Sequence, residues 1–338
     1  MRAAVVNEGH SFDIVDVPDP DPGPGEMVLR VHACGICGSD LKAVDNMRTG
    51  LVMGHEFCGE VVAIGAGVTN WEIGSRVSAL PLIGCGVCLP CVTGDVAHCA
   101  TLDMSGVGGS PGGDAEFVRV AARESFLLPE AVAFDVGALV EPLAVGLHAV
   151  ERAALTPADD VLVVGGGPVG LAIAMWARTR GARTVVVSDP VAHRRAAAIK
   201  VGATHVADPN DGGPDGTFPV VFECVGTPGM IATCVSMTAV HGRLIVAGVC
   251  TKPDTFVPVL ALMKELALHF VVYYRRQDFA LTIDHLAQGR LPIDAFITSQ
   301  VDLDGFAAAF AALKHPTDQC KVLVKPGLIL DPAPSVAT

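Results

Sequence analysis

The run Val161-Leu162-Val163-Val164 passes directly into Gly165-Gly166-Gly167-Pro168-Val169-Gly170 and then into a helix-like stretch, Leu171 to Arg180, closed by Gly181. An apolar strand, glycines at the first, third and sixth positions of a turn, and a helix together admit few folds. Gly165 permits the tight turn, Gly167 lets the backbone approach a pyrophosphate, and Gly170 lets helix and strand pack closely. Pro168 and Val169 open the helix, whose N-terminal N–H groups and partial positive charge suit phosphate. A glycine triplet alone can simply end a strand. Here a second strand, Thr184 to Ser188, leads to Asp189, at about the spacing where a carboxylate meets an adenosine ribose. Such a carboxylate accepts from both ribose hydroxyls and repels a 2′-phosphate, so NAD is expected over NADP. Arg194 and Arg195 are the residues that keep NADP open.

Two more apolar runs, Val220 to Glu223 and Leu244 to Ala247, follow at helix-length intervals. That alternation predicts a parallel sheet wrapped by helices, over residues 148–289. Before it the chain shows short valine-rich runs, many Gly and Pro turns and clustered cysteines, the texture of an irregular β domain. After Gly289 a helix, Gly305 to Leu313, and a strand, Lys321 to Lys325, bring the chain back to that first domain. The expected α/β organisation is therefore a catalytic domain of residues 1–147 and 290–338, interrupted by a nucleotide domain of 148–289. The Pro-rich tail from Pro326 to Thr338 is expected to be loosely held.

Composition narrows the function classes. A chain of 338 residues, 51% hydrophobic and 17% charged, can fill two cores and is not of a disordered type. Its formal charge of −13 disfavours a nucleic-acid partner, which calls for a clustered positive field. The least polar stretch, Val161 to Ala177, falls short of the roughly 20 residues a membrane span needs and is broken by glycines. Met1 to Gly9 reads as an alternating strand and not as an export signal. Eleven cysteines, an odd number with several at metal-ligand spacing, fit thiols in a reducing compartment, so a cytoplasmic location is expected.

Cys85, Cys88, Cys91 and Cys99 lie in one short run, with two residues between each of the first three. That spacing turns neighbouring sulfurs toward one centre, and the fourth closes a tetrahedron. Four thiolates leave no open position, so the expected zinc is structural. Basic clusters and interleaved aromatics, which a nucleic-acid knuckle would carry, are missing from this run.

A different constellation joins Cys37-Gly38-Ser39-Asp40, Gly54-His55-Glu56 and, much later, Glu141-Pro142-Leu143. Thiolate, imidazole and carboxylate are all zinc ligands, and three protein ligands leave a fourth position for a Lewis-acid role. Singly each residue is weak evidence; the pattern carries the argument. Gly54-His55-Glu56-Phe57-Cys58-Gly59, followed by Gly65 and Val68, resembles the signature of zinc-containing alcohol dehydrogenases. With the Cys37 segment, the four-cysteine run and the glycine turn in the same order, the resemblance extends over nearly the whole chain. Glu141-Pro142-Leu143-Ala144-Val145-Gly146 is similar to the sorbitol, butanediol and threonine dehydrogenase branch, in which a carboxylate replaces a cysteine ligand.

The resemblance implies a GroES-like β domain, a Rossmann doubly wound domain, and two zinc ions per chain, one catalytic and one structural. It implies hydride transfer between a small alcohol or diol, most simply a secondary one, and NAD, giving a ketone or aldehyde. A homodimer or homotetramer, often built by joining nucleotide-domain sheets edge to edge, is implied too. Residue by residue, Cys37 and His55 would hold the catalytic zinc, with Glu56 and Glu141 the two candidates for its remaining protein contact. Ser39 takes the proton-relay position, and Asp40 would orient His55. Val225 and Val249 would border the nicotinamide, and Lys321 would reach the pyrophosphate. Lys42 stands where relatives commonly have His, leaving the relay's outer end open. Phe270-Val271-Val272-Tyr273-Tyr274 departs from the Phe-Arg-Tyr stretch of sorbitol dehydrogenases, which speaks against sorbitol as substrate. Phe57, Met104 and Tyr274 hint at an apolar pocket. A zinc-free reductase of the same superfamily has no need of Cys37, His55 and Glu141 together, and a non-enzymatic relative would be expected to lose one of them.

Overall fold

Strand Glu26–Gly35 is buried along most of its length, with Met27, Leu29 and Val31 in the core, and this lets it serve as the centre of a sheet. It pairs antiparallel with Glu56–Ile64, Phe117–Ala121 and Lys321–Val324. The computed structural model describes residues 1–315 and 318–327; the tail that was expected to be loose lies, from 328 onward, outside the described residues. Among the described residues the chain divides into two compact units. The first holds Met1–Cys85, Ala100–Leu139 and the described residues from Ser299 onward; the second holds Gly86–Cys99 and Val140–Thr298.

The first unit is built on a seven-stranded sheet ordered Ile297–Val301, Lys321–Val324, Glu26–Gly35, Glu56–Ile64, Arg76–Ala79 and Ser125–Leu127, with Phe117–Ala121 also on Glu26–Gly35. Register decides what meets what. Gly35 lies opposite both Glu56 and Leu323, so the C-terminal strand is set beside the segment that carries His55 and Glu56. Met27, Leu29, Val31, Phe57, Val61 and Val118 fill one core cluster. In another, Phe12 meets Phe306 and Phe310 edge-on, each with ring centroids 4.7 Å apart, which fixes the Phe306–Leu313 helix against the N-terminal strands.

The second unit is a six-stranded, all-parallel sheet ordered His205–Ala207, Thr184–Ser188, Asp160–Val164, Phe218–Glu223, Thr238–Val246 and Ala267–Phe270. Its inner strands are continuous apolar runs because helices cover both faces of such a sheet. The two edge strands, His205–Ala207 and Ala267–Phe270, lack that signal because they are short and largely half-exposed or exposed.

Helix Val140–Ala153 packs on Pro168–Thr179 in this unit, and the buried Trp176 indole N–H donates to the Leu143 carbonyl at 2.9 Å. A Cβ on Gly146 would stand 2.6 Å from the Cβ of Ala172, so the two helices approach as closely as their backbones allow. This is why the division falls before Val140, ahead of the expected 147/148 boundary, which would cut the helix in two. At the other end it falls at Thr298/Ser299 instead of 289/290, and most of the cysteine run clusters with the second unit. Among the described residues no helix is long and apolar enough to cross a membrane.

Candidate metal and nucleotide sites

Cys37 ends an extended segment and caps the short Gly38–Ala43 helix. Its sulfur accepts from the Ser39 backbone N–H at 3.4 Å and from the Ser39 hydroxyl at 3.1 Å, while its own N–H donates to Asp40 Oδ2 at 3.1 Å. The turn thus aims the thiol and places Ser39 beside it in one stroke. Cys37 Sγ, a ring nitrogen of His55 and a carboxylate oxygen of Glu56 all lie within 4.8 Å of one another. One soft, one borderline and one hard donor at that spacing form a set that suits zinc.

Asp40 and His55 are both buried, with Asp40 Oδ1 standing 3.3 Å from His55 Nδ1. Burial alone would pull the imidazole down, but the Asp40 charge, with Cys37 adding to it, holds it well above its ordinary value. This is the placement expected of a carboxylate that orients a metal-binding histidine. Asp114, buried nearby, is pushed up to about 8 by burial and by the charge of Asp40.

Lys321 has a placement that sequence reasoning missed. Expected at the pyrophosphate, its ammonium instead lies buried in the first unit, donating to both Glu56 carboxylate oxygens at 2.6 Å and to the Ile36 carbonyl at 3.1 Å. The physical reason is register: the strand that begins at Lys321 pairs beside Gly35, and a fully buried Glu56 needs a counter-charge there. Burial would lower this ammonium, but the facing Glu56 and Cys37 charges keep it above its ordinary value.

The sulfurs of Cys85, Cys88, Cys91 and Cys99 also lie within 4.8 Å of one another, with Cys91 and Cys99 buried and Cys85 exposed. One turn of helix, Leu89–Val92, begins after Cys88 and carries Cys91. Four thiols and no fifth partner type make a closed, structural set.

In the second unit the glycine turn takes the expected form. Gly167 caps the Pro168–Thr179 helix, and Gly165 has φ +103°, a conformation that favours glycine. A Cβ on Gly170 would fall 1.8 Å from the Gly165 carbonyl oxygen, whereas one on Gly167 would meet nothing within 4 Å, so the turn is tight where it packs and open where a ligand would approach. Val169 sits in the first helical turn. The buried Asp189 carboxylate accepts from Gly166 N–H and Val191 N–H, each at 2.8 Å. Arg194 Nη1 stands 3.7 Å from that carboxylate, and Arg195 is committed to the Asp189 carbonyl at 2.7 Å and to Asp208 at 2.9 Å.

Val225 follows the Phe218–Glu223 strand and Val249 follows Thr238–Val246, both on the side of the sheet that carries the glycine turn. Glu141 is buried in the first turn of its helix, in the second unit. Phe57 and Tyr274 are both buried: Phe57 belongs to the sheet cluster, and Tyr274 lies against Phe279 with ring centroids 5.5 Å apart.

Residues 23–130 match the alcohol dehydrogenase GroES-like domain, and residues 168–288 match the zinc-binding dehydrogenase family. The chain is 30% identical over 349 residues to a sorbitol dehydrogenase of Bacillus subtilis, covering 96% of this chain and 97% of that one. Among solved structures, a zinc-binding dehydrogenase from Sinorhizobium meliloti bound to NADP superposes with TM-score 0.88 at 31% identity, covering 96% of this chain and 99% of the other. An alcohol dehydrogenase from Escherichia coli complexed with NADH superposes with TM-score 0.87 at 26% identity, with the same shares covered.

Proposed function

Since this chain belongs to the zinc-containing medium-chain alcohol dehydrogenase family, in its sorbitol, butanediol and threonine dehydrogenase-like branch, we propose that it moves a hydride between a small secondary alcohol or diol and NAD. The observation that carries this reading is the meeting of Cys37, His55 and Glu56 within 4.8 Å. Cys37 and His55 would hold a catalytic zinc, and Cys85, Cys88, Cys91 and Cys99 a structural one. With Glu56 already facing the Lys321 ammonium, Glu141 is the better candidate for the remaining direct contact, and Glu56 acts as the counter-charge. When bound, zinc supplies a Lewis-acidic charge for the alcohol oxygen and the nicotinamide supplies the hydride acceptor.

The chain's own side chains do the rest. Ser39, with its hydroxyl next to the Cys37 sulfur, takes the substrate hydroxyl proton and passes it outward. Asp40 fixes the His55 ring, and the buried Lys321 stops the Glu56 charge from repelling an approaching carboxylate or alkoxide. Gly165, Gly167, Pro168, Val169 and Gly170 cradle the pyrophosphate, and Asp189 meets the adenosine ribose, which selects NAD. Arg194, half-exposed beside Asp189, is the observation that favours NADP as a second reading.

A homodimer or homotetramer fits the second unit. Its edge strand Ala267–Phe270 is open on one side, and Leu260, Leu262, Met263 and Phe270 nearby are each more than half exposed. A cytoplasmic location fits the thiol-rich metal sites.

A panel of secondary alcohols and diols, assayed with NAD and NADP before and after zinc removal, tests the reading. The expected result is NAD reduction that disappears with the metal and returns on adding zinc. Activity that survives complete zinc removal would sink it, and higher efficiency with NADP would overturn the role given to Asp189.

A further inference from the structure

Glu223 ends the central strand of the nucleotide sheet and is buried. No sequence motif marks it, and neither phosphate nor ribose recognition needs it. Its Oε1 accepts the N–H groups of Val225 and Gly226, each at 2.7 Å. Its backbone carbonyl accepts the N–H groups of Ala247 and Gly248, each at 2.9 Å. One residue therefore holds the turn after its own strand and the turn after the neighbouring strand.

The two turns are in direct contact. Gly226 has φ +65°, and a Cβ there would stand 2.4 Å from the Val249 carbonyl oxygen and 2.6 Å from its amide nitrogen. A Cβ on Gly248 would stand 2.4 Å from Gly226 N and 2.5 Å from Glu223 Oε2. Backbone thus packs on backbone, with the carboxylate filling the remaining space. Removing the carboxylate would leave two peptide N–H groups without their acceptor, and groups so placed either find new partners or move. The thiol of Cys224, pushed up by burial and then by the Glu223 charge, cannot substitute as an anionic acceptor.

We propose that Glu223 is a positioning residue that clamps the Val225–Gly226 turn against the Gly248–Val249 turn and so sets the surface on which the nicotinamide ring rests. The proposal builds on the reading above, in which Val225 and Val249 border that ring. The clamp acts on the nicotinamide end alone, because the phosphate and ribose contacts belong to the Gly165–Gly170 turn and Asp189.

ADP-ribose, which carries every part of the cofactor except nicotinamide, separates the two ends. In the zinc-loaded enzyme, NADH affinity is read by fluorescence titration and ADP-ribose affinity by competition. Glu223→Ala is expected to weaken NADH about tenfold, roughly the loss of one charged hydrogen bond, while ADP-ribose changes less than about twofold. Glu223→Gln keeps a carbonyl acceptor and is expected to restore most of the NADH affinity. Should Glu223→Ala fail to fold, Gly248→Ala disturbs the same contact from the other turn and is expected to reproduce the selective loss. Equal weakening of both ligands would reduce Glu223 to a general stabiliser, and unchanged binding of both would remove the clamp; either result overturns the proposal. A parent enzyme that binds neither ligand would instead overturn the nucleotide reading, and the clamp with it.

Discussion

In the GroES-like unit the buried carboxylate of Glu56 is met by an ammonium, whereas in the nucleotide unit the buried carboxylates of Asp189 and Glu223 are met by peptide N–H groups. The ammonium comes from Lys321, 265 positions away, while each N–H donor to Glu223 comes from within three positions. A full positive charge is needed where other negative donors crowd the same space, as Cys37 does beside Glu56. Where the coming ligand is itself an anion, neutral donors satisfy a carboxylate without adding a charge that would bind the phosphate in the wrong place. Glu56 is balanced by a charge brought from a distant strand, and Glu223 by backbone donors of its own turn.

Four experiments can break or sharpen that contrast. The largest expected effect is on turnover: His55→Ala should lower kcat/KM on the order of 10⁴-fold, while NADH affinity, measured by fluorescence, stays within about twofold. A parallel loss of NADH binding would mean that the two units are not independent. Next, Lys321→Met strands the Glu56 charge and is expected to cost about 4 kcal/mol of stability in denaturant titration, with Glu56→Gln added to it recovering at least half. Asp189→Asn, whose carbonyl can still accept a backbone N–H, should cost only about 1 kcal/mol; equal costs at the two sites would erase the distinction.

Cys91→Ser should release about one zinc per chain by metal analysis and lower the melting temperature by about 10 °C, corresponding to about 3 kcal/mol. A variant that keeps both its zinc and its melting temperature would show that the loop does not hold a structural ion.

The smallest effect concerns the nucleotide unit's own ion pair, in which Arg243 Nη2 donates to both Asp159 oxygens at 2.8 Å. Burial raises the Asp159 carboxyl, but hydrogen bonds from Thr156 and Arg243 outweigh it and hold the group below its ordinary value. A depressed carboxyl stabilises the fold above its unfolded pKa, about 3.9, and the gain is lost as pH falls through the folded value. Asp159→Asn should therefore cost about 1 kcal/mol at pH 7, with the gap to the parent closing below about pH 4. A gap that is flat across this range would show that the pair contributes nothing through charge.

The same contrast explains what the sequence could disclose. The glycine turn, the Thr184–Ser188 strand leading to Asp189, and the four-cysteine spacing are contiguous, so local geometry alone reads them. The grouping of Cys37 with His55 and Glu56 was legible only through a family pattern, because strand pairing, not spacing, brings them together. Lys321 escaped for the same reason: nothing near it in the chain announces Glu56 as its partner. Glu223 escaped because backbone acceptors leave no side-chain pattern, and the Ala267–Phe270 strand because an edge with one exposed face has no continuous apolar run. The domain boundary expected at 147/148 falls at 139/140 instead, because the Val140–Ala153 helix packs on Pro168–Thr179, which lies beyond the glycine turn.

The helices Val140–Ala153 and Pro168–Thr179 interlock at Gly146 and Ala172 and are pinned by the Trp176 to Leu143 hydrogen bond. Elements keyed together at such short range cannot slip along each other by even one residue. They form a single lever. The Gly165–Gly170 turn heads one helix and Glu141 lies in the first turn of the other, so the turn and that carboxylate are carried on one interlocked pair within the second unit.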